Sequence, residues 1–251
     1  MKNPQKEEVE TKKPKRKKRF AFILFLITVG SLSCWYFLSG GSLPDFFGST
    51  RQGQVEYQVT YPDIDSENNM MAAGLPDKAV FKFKDEKSMT HLSAMMGLVT
   101  IDYIADRKEN SAKQSLVLFN NKYVANLNEA AVNKLNAGFL KELKLVPGET
   151  KMIAGYKCEK AKAILENGKE VDVYYTRDLG GDEINFGNPY HEIKGVLMEF
   201  EIERYGISMK LQATKVAKEG VEEKDFTVPQ DFKKMPIEEL ENILKTLNPI
   251  K

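Results

Sequence analysis

Histidine, cysteine and tryptophan are scarce in this 251-residue sequence, which contains two histidines, two cysteines and one tryptophan. Two cysteines cannot build a disulfide scaffold, so a stable fold requires a hydrophobic core. His91 and His191 belong to no His-x-x-x-His or Glu-x-x-His pattern, and the spacing typical of a zinc site is therefore missing. We expect no metal and no cofactor.

Catalytic patterns are equally scarce. Cys158 has lysines nearby that favour a thiolate, but the sequence shows no histidine partner for it, and a packed thiol is the simpler interpretation. Gly180-Gly181-Asp182 lacks the spacing of a phosphate-binding loop. Carboxylate pairs such as Asp182 and Glu183 lie in charged turns, where nothing prepares them for acid–base chemistry. The sequence therefore predicts a protein that is not an enzyme.

Charge is concentrated at the N-terminus. The formal net charge is +1, yet residues 1–38 contain nine Lys or Arg and three Glu. The remainder is mildly acidic, which argues against nucleic acid as a partner. Residues 20–38 contain no charge, and a helix of this length is about 28 Å long, close to the thickness of a bilayer core. The basic run at 12–19 predicts a cytoplasmic N-terminus and a single membrane span.

Three other interpretations of this N-terminal region are open. A cleaved signal peptide requires small residues at the cleavage site, whereas bulky residues follow the small ones here. A lipid anchor attached through Cys34 is a second alternative. A nucleic-acid-binding basic patch is the third. We expect a bacterial inner-membrane protein whose C-terminal domain is periplasmic, and the absence of an Asn-x-Ser/Thr acceptor is consistent with a bacterial chain.

Beyond the span, the pattern is that of a β-rich domain. Residues 39–53 are rich in Gly and Ser and are typical of a linker. Apolar and polar residues then alternate, which is typical of half-buried strands. The strand-like runs cover residues 54–61, 80–84, 98–104, 115–119, 122–125, 152–165, 170–176, 194–204 and 207–218. Asn167-Gly168 and Tyr205-Gly206 predict hairpin turns.

Two helices are also predicted. Leu127, Ala131, Leu135 and Phe139 recur at helical spacing, with Asn126 as the expected N-cap. Pro236 marks the start of a C-terminal helix with an apolar stripe. The predicted fold is α+β and mainly β: a large curved antiparallel sheet, or half-barrel, with one or two covering helices, preceded by one transmembrane helix. The domain boundaries are 1–19 for the basic tail, 20–38 for the span, 39–53 for the linker and 54–251 for the β-rich domain.

Methionines cluster around His91, and Met70, Met71, Met89, Met95 and Met96 form the group. Three interpretations are open: a soft-ligand site for Cu(I), an adaptable lining for a lipid or acylated partner, and ordinary core filling.

One stretch carries a family resemblance. Residues 151–176 contain a Gly-Tyr-Lys-Cys strand, a hairpin and a Tyr-Tyr-Thr strand, and residues 226–229 read Phe-Thr-Val-Pro before a helix. This arrangement resembles poorly characterised Gram-negative envelope proteins that are similar to the periplasmic lipoprotein-carrier (Lol-type) half-barrel superfamily. The resemblance implies an apolar cavity with helices as a lid, and binding of a lipid, an acyl chain or a hydrophobic partner.

The functional expectation is a membrane-anchored, non-catalytic binding module for such a ligand. The alternative is an envelope scaffold or protein-interaction domain with a filled core. The apolar faces of the strands, together with the methionines after position 94, supply the expected lining: Val55, Tyr57, Val59, Phe81, Phe83, Met95, Met96, Met198, Phe200 and Ile202.

Overall fold

The computed structural model describes residues 51–64 and 74–247. Its strands are β1 (Gln52–Thr60), β2 (Lys78–Lys84), β3 (Lys87–Ala94), β4 (Val99–Asp106), β5 (Ser111–Leu118), β6 (Asn121–Asn128), β7 (Leu140–Ile153), β8 (Tyr156–Leu165), β9 (Glu170–Thr176), β10 (Val196–Arg204), β11 (Ile207–Ala217) and β12 (Lys233–Lys234). Two α-helices accompany them, α1 (Glu129–Asn136) and α2 (Ile237–Thr246).

The strands form one open sheet of 12 strands in the order β12-β6-β5-β4-β3-β2-β1-β11-β10-β9-β8-β7. Neighbouring described strands pair in antiparallel fashion, except that β12 runs parallel to β6. The order describes two meanders, β1 to β6 and β7 to β11. They are joined where β1 pairs with β11, from Gln54 opposite Ala217 to Thr60 opposite Lys210. The predicted mainly β, antiparallel architecture with two helices is confirmed.

Buried and exposed side chains alternate along β1, near the middle of this sheet. Val55, Tyr57 and Val59 are buried, whereas Gln58 and Thr60 are exposed. Because successive side chains of a strand point to opposite faces, one face of β1 is apolar and the other polar. The strand begins at Gln52, two residues before the predicted start.

The sequence pattern was wrong between residues 140 and 165. The predicted strand 152–165 is interrupted by a turn at Ala154 and Gly155, both with positive φ, which separates β7 from β8. β7 itself was missed because Pro147 and Gly148 read as breakers. In the structure they lie in a bulge, where the register with β8 shifts between Val146 and Thr150. β3 was also missed, since its polar and apolar residues alternate weakly.

Both helices begin close to the predicted positions. The N-cap of α1 is Asn128 rather than Asn126: the side chain of Asn128 accepts a hydrogen bond from the amide of Ala131 at 3.0 Å. Leu127, expected in the helix, is a buried residue of β6. Pro236 directly precedes α2, whose Leu240 and Leu244 are buried against β4, β5 and β6.

The long connection between β9 and β10 packs against one face of the sheet. Leu179, Ile184, Tyr190 and Ile193 from this connection are buried in the main core. The amide of Asn185 donates to the carbonyls of Ile193 at 2.7 Å and Gly195 at 2.8 Å, which satisfies buried backbone oxygens. This connection, residues 177–195, is called the plug below.

Nothing in residues 51–64 and 74–247 forms a helix that is long and apolar enough to cross a membrane. The predicted tail and span at 1–38, most of the linker, and Cys34 lie outside the described residues, as do Met70 and Met71.

Gly195 gives a test of the way the plug joins β10. Its φ is +93°, and a Cβ there would lie 2.2 Å from the carbonyl oxygen of Thr176. We expect Gly195→Ala to lower the free energy of unfolding by about 4 kcal/mol, at the severe end for a point mutation, because it combines backbone strain with a clash against main chain. Urea denaturation of the full chain measures this loss.

Gly168→Ala is the matched control. Gly168 also has a positive φ, +83°, but a Cβ at this residue would meet nothing within 4 Å. The substitution should cost only the left-handed strain of about 1–2 kcal/mol. Equal losses for the two variants would contradict the role given to the contact with Thr176.

Candidate functional site

The main candidate site is an apolar cavity of about 140 Å³, called the large cavity in contrast to the two smaller cavities described below. Open grooves on the surface are larger, at about 580 Å³ and 1230 Å³. The large cavity lies between β3, β4 and β5 on one side and the β10–β11 turn on the other, and α2 covers it. Its lining comprises Tyr61, Gly74, Leu75, Pro76, Leu92, Ala94, Met95, Val99, Ile101, Leu118, Phe119, Arg204, Tyr205, Ile207, Met209, Leu244 and Leu247. Arg204 is the one charged residue in this set.

The rim of the large cavity has exposed apolar side chains on strained backbone. Met95 is 52 % exposed, Phe119 is 57 % exposed, and both have φ near +50°. Met96, also with positive φ, is fully exposed at the tip of the β3–β4 turn. Asp85, Asn110 and Tyr205 also have positive φ in other hairpin turns, so this backbone conformation is what tight turns require. What distinguishes the rim is the exposure of its apolar side chains.

Two further cavities lie beside the large one and share wall residues with it or with each other. The middle cavity, of about 100 Å³, shares Leu92, Ile101 and Arg204 with the large cavity. The small cavity, of about 50 Å³, shares Tyr103 and Phe200 with the middle one. The three cavities are neighbours that share wall residues, and together they are called the cavity row.

Hydrogen bonds at the cavity row join elements that are far apart in the strand order of the sheet. Gln114 on β5 donates from Nε2 to the hydroxyl of Tyr205 at 2.9 Å, although β5 and β10 are six places apart in the sheet. Arg204 donates to the carbonyl of Leu135 at 3.1 Å and to Oδ1 of Asn136 at 2.5 Å. Both acceptors belong to the last turn of α1, where the helix dipole favours a cation.

The predicted lining residues divide into two groups. Tyr57, Phe81 and Phe200 line the small cavity, Phe200 and Ile202 line the middle cavity, and Met95 lines the large one. The structure places Val55, Val59, Phe83 and Met198 in the main core, outside the lining of the cavity row, and Met96 on the surface.

Aromatic rings connect the small cavity to the core. Tyr57 and Phe200 meet edge to face with ring centroids 6.0 Å apart, and Phe200 meets Tyr190 in the same way at 6.0 Å. The hydroxyl of Tyr57 donates to the carbonyl of Leu197 at 2.7 Å, and that of Tyr190 donates to the carbonyl of Glu201 at 2.6 Å. These bonds fix the rings, so the inner end of the cavity row has a defined shape.

Sequence reasoning missed most of the lining. Leu92 and Ile101 face each other across β3 and β4, where the weak alternation of β3 concealed the strand. Tyr103 and Arg204 were missed because they are polar. Residues 98–104 were expected to form a strand, and assigning its faces would have placed Ile101 and Tyr103 together.

The methionines and histidines do not assemble a catalytic site in the described residues. Met89 packs on the other face of the sheet, beneath Val221 and Phe226. Nδ1 of His91 lies 2.6 Å from Asp102, and the hydroxyl of Ser115 donates to the same carboxylate at 3.2 Å. A nucleophilic triad needs the histidine between serine and carboxylate, whereas here the carboxylate is in the middle.

Cys158 is fully buried. Burial raises the pKa of its thiol to about 12, the hydrogen bond from the backbone of Ile153 opposing only part of that rise. A thiol that remains protonated at neutral pH is a poor nucleophile, and Cys158 therefore behaves as a packed side chain. No group of three or more His, Cys, Asp or Glu residues within 51–64 and 74–247 is arranged to hold a metal ion.

The outer face of β10 contains a buried carboxylate. Glu199 lies between Lys151 at 2.5 Å and Lys210 at 3.0 Å, and its side chain is 9 % exposed. Burial by itself would raise the pKa of Glu199, but the hydrogen bonds from Lys151 and Lys210 outweigh it and hold the pKa below its usual value. This ion-pair network connects β7, β10 and β11 behind the cavity row.

Glu199→Gln tests this network. Because the pKa of Glu199 is lower in the folded than in the unfolded state, its stabilisation is complete above the unfolded value of about 4.3 and is lost as the pH falls through the folded value. We expect the variant to lose about 1–3 kcal/mol of unfolding free energy at pH 7 and progressively less as the pH falls below about 4. Urea denaturation at several pH values measures the difference.

Glu203→Gln is the control, since Glu203 is an exposed glutamate of the same strand. Its effect should stay within about 0.5 kcal/mol at each pH. A loss for Glu199→Gln that does not change with pH would show that the carboxylate charge contributes nothing.

Comparison with known proteins gives the family. Residues 63–238 match the family model described as "N-glycanase peptide, N-terminal domain", and the chain belongs to this family. The resemblance to the lipoprotein-carrier superfamily was wrong: the Gly-Tyr-Lys-Cys hairpin and the Phe-Thr-Val-Pro ending lie inside the matched region. Short strand and turn patterns of this kind recur in unrelated β-proteins. A search of curated proteins found no match to this chain.

Proposed function

We propose that this chain is a non-catalytic binding module that takes an apolar ligand or an apolar part of a partner into the cavity row. The observation that carries the proposal is the large cavity of about 140 Å³ with its apolar lining. An engineered cavity of about 150 Å³ lined by Leu, Ile and Phe stays dry and binds benzene. The large cavity has a similar size and chemistry, and its rim is apolar and exposed.

The binding free energies favour a ligand that extends beyond the large cavity into the rest of the cavity row. Each buried CH₂ contributes about 0.8 kcal/mol, so six carbons contribute about 5 kcal/mol before the costs of association. Micromolar affinity requires about 8 kcal/mol. A ligand confined to the large cavity therefore binds weakly, and a chain that also reaches the middle cavity binds more tightly.

A half-barrel shape of the sheet, as expected from the sequence, is part of this proposal. The hydrogen bond from Gln114 to Tyr205 connects strands that a flat sheet would hold about 29 Å apart, at about 4.8 Å per strand. Strong curvature brings such strands together and produces a concave side for a ligand. Leu244 and Leu247 of the α2 region then serve as the lid.

The location belongs to the same proposal. The uncharged run at 20–38 behind the basic run at 12–19 supports a span in the bacterial inner membrane with the β-rich domain in the periplasm. A lipid anchor at Cys34 is the alternative. Both arrangements hold the domain beside a bilayer, which is a source of apolar chains.

The rival function is a scaffold or protein-interaction domain. The family description names a domain of an N-glycanase, and this favours a role in which the domain accompanies another protein or a glycoprotein. A mixed-charge groove of about 580 Å³, lined by Arg51, Lys84, Lys87, Asp106, Asp182 and Glu183 among others, suits a polar partner. A scaffold of this kind was expected to have a filled core, and the three cavities argue against one.

Binding of N-phenyl-1-naphthylamine, a neutral fluorophore that brightens in apolar sites, tests the proposal on the full chain. We expect saturable binding at one site, with competition by medium-chain hydrocarbons, because the cavity row is apolar. Native mass spectrometry of the same preparation should show retained apolar molecules. No saturable binding, together with capture of an N-glycosylated peptide, would favour the rival.

Leu92→Trp tests where the probe binds. Leu92 lines both the large and the middle cavity, and an indole at this position takes up space in both. We expect the affinity for the fluorophore to fall about tenfold, equivalent to about 1.4 kcal/mol. Fluorescence titration measures the change.

Leu145→Trp is the control, because it adds the same ring to an exposed position on β7 that lines none of the three cavities. This variant should bind the fluorophore like the unmodified chain. Equal affinity for the two variants would place the probe outside the cavity row.

A further inference from the structure

The inner part of the cavity row contains a polar atom without a partner. The hydroxyl of Tyr103 is buried and makes no hydrogen bond to any residue of the described chain. Native proteins leave few buried polar groups unpaired, and each such group calls for a specific explanation. Tyr103 lines both the middle and the small cavity, and its hydroxyl lies in the wall between them, where a ligand oxygen reaches it by displacing a neighbouring side chain.

The ring of Tyr103 is held in place by its surroundings. The plug lies directly on it: a Cβ at Gly187 would be 2.6 Å from Cε1 of Tyr103 and 2.9 Å from Ala105. Leu135 and Phe186 pack against the same cluster. The ring therefore has no room to turn its hydroxyl toward solvent, and the group is fixed at the inner cavities.

The hydroxyl is a hydrogen-bond donor over the physiological pH range. Burial raises the pKa of Tyr103 to about 12, and the nearby guanidinium of Arg204 opposes only part of this rise. A protonated phenol that already has no acceptor gains a full hydrogen bond when one is supplied.

The remaining lining indicates that the acceptor is neutral. Arg204 already donates to two oxygens of α1, and Glu241 lines the middle cavity beside it. These opposite charges leave no net positive charge for an anion. An ionised carboxylate placed there would lose hydration without a free cation as partner.

We propose, resting on the function proposed above, that the ligand is an apolar chain with an uncharged carbonyl, as in an ester or amide, whose oxygen accepts a hydrogen bond from Tyr103. The hydrocarbon part occupies the large cavity, and the carbonyl reaches the boundary of the middle and small cavities. Ser88, Thr90 and Asn188 around the small cavity make this end of the row more polar than the rim.

The test compares three ligands of equal chain length on the full chain: octane, octanoate and methyl octanoate, each competing with N-phenyl-1-naphthylamine. We expect methyl octanoate to bind about tenfold more tightly than octane, and octanoate to show no such advantage. Tyr103→Phe should remove the preference for the ester and leave octane binding unchanged. It should also raise the stability of the ligand-free chain, because it deletes an unpaired buried hydroxyl.

Tyr190→Phe is the control. It deletes the same atom from a buried tyrosine, but this hydroxyl is already bonded to the carbonyl of Glu201. We expect lower stability and an unchanged preference for the ester.

The outcomes separate the two proposals. If octane and methyl octanoate bind the unmodified chain equally, the carbonyl proposal is overturned while the binding module stands. A preference that survives in Tyr103→Phe places the ester carbonyl at another donor and also overturns it. A loss of stability in that variant shows that the hydroxyl already has a partner such as bound water, with the same consequence. If none of the three ligands binds, both proposals fail.

Discussion

The pairing of β1 with β11, called the seam below, unites the two meanders in one sheet. Each meander is a series of hairpins that a local chain can form, but the two share a sheet only because β1 joins them. The seam buries Val55, Tyr57 and Val59 against the core that β10 and the plug complete. Without this pairing only side-chain contacts, such as those of Gln114 with Tyr205 and Arg204 with Leu135, would join the two sides of the cavity row, since β3 to β5 lie in one meander and the β10–β11 turn in the other.

The elements predicted correctly from the sequence are those defined by short-range periodicity. Strict alternation located β1, β2, β10 and β11, and Asn-Gly located the hairpin after β8. It failed where tertiary contacts override local signals: Pro147 lies inside an edge strand because a bulge removes the need for its missing amide. The site was harder to predict, because Leu92, Tyr103 and Arg204 meet only when the sheet brings distant strands together. No local pattern encodes that encounter.

The erroneous family resemblance has the same origin. A hairpin with a Gly-Tyr turn and aromatic residues is what an antiparallel sheet needs locally, and many folds share it. The cavity row is independent of that resemblance, because its volume, its lining and the strain at its rim are properties of the folded chain. The charged groove shares no lining residue with the cavity row, and the two surfaces are separate.

The seam also has a consequence for the order of synthesis. Gln54 and its partner Ala217 are separated by more than 160 residues of chain. At a translation rate of 5–20 residues per second, β1 waits roughly ten to thirty seconds with one edge unsatisfied. During that interval an emerging apolar strand is open to any other edge or to a holding chaperone. The edge of β1 is therefore paired only when the last long strand has been made, and a truncation just before β11 would leave that edge open to aggregation.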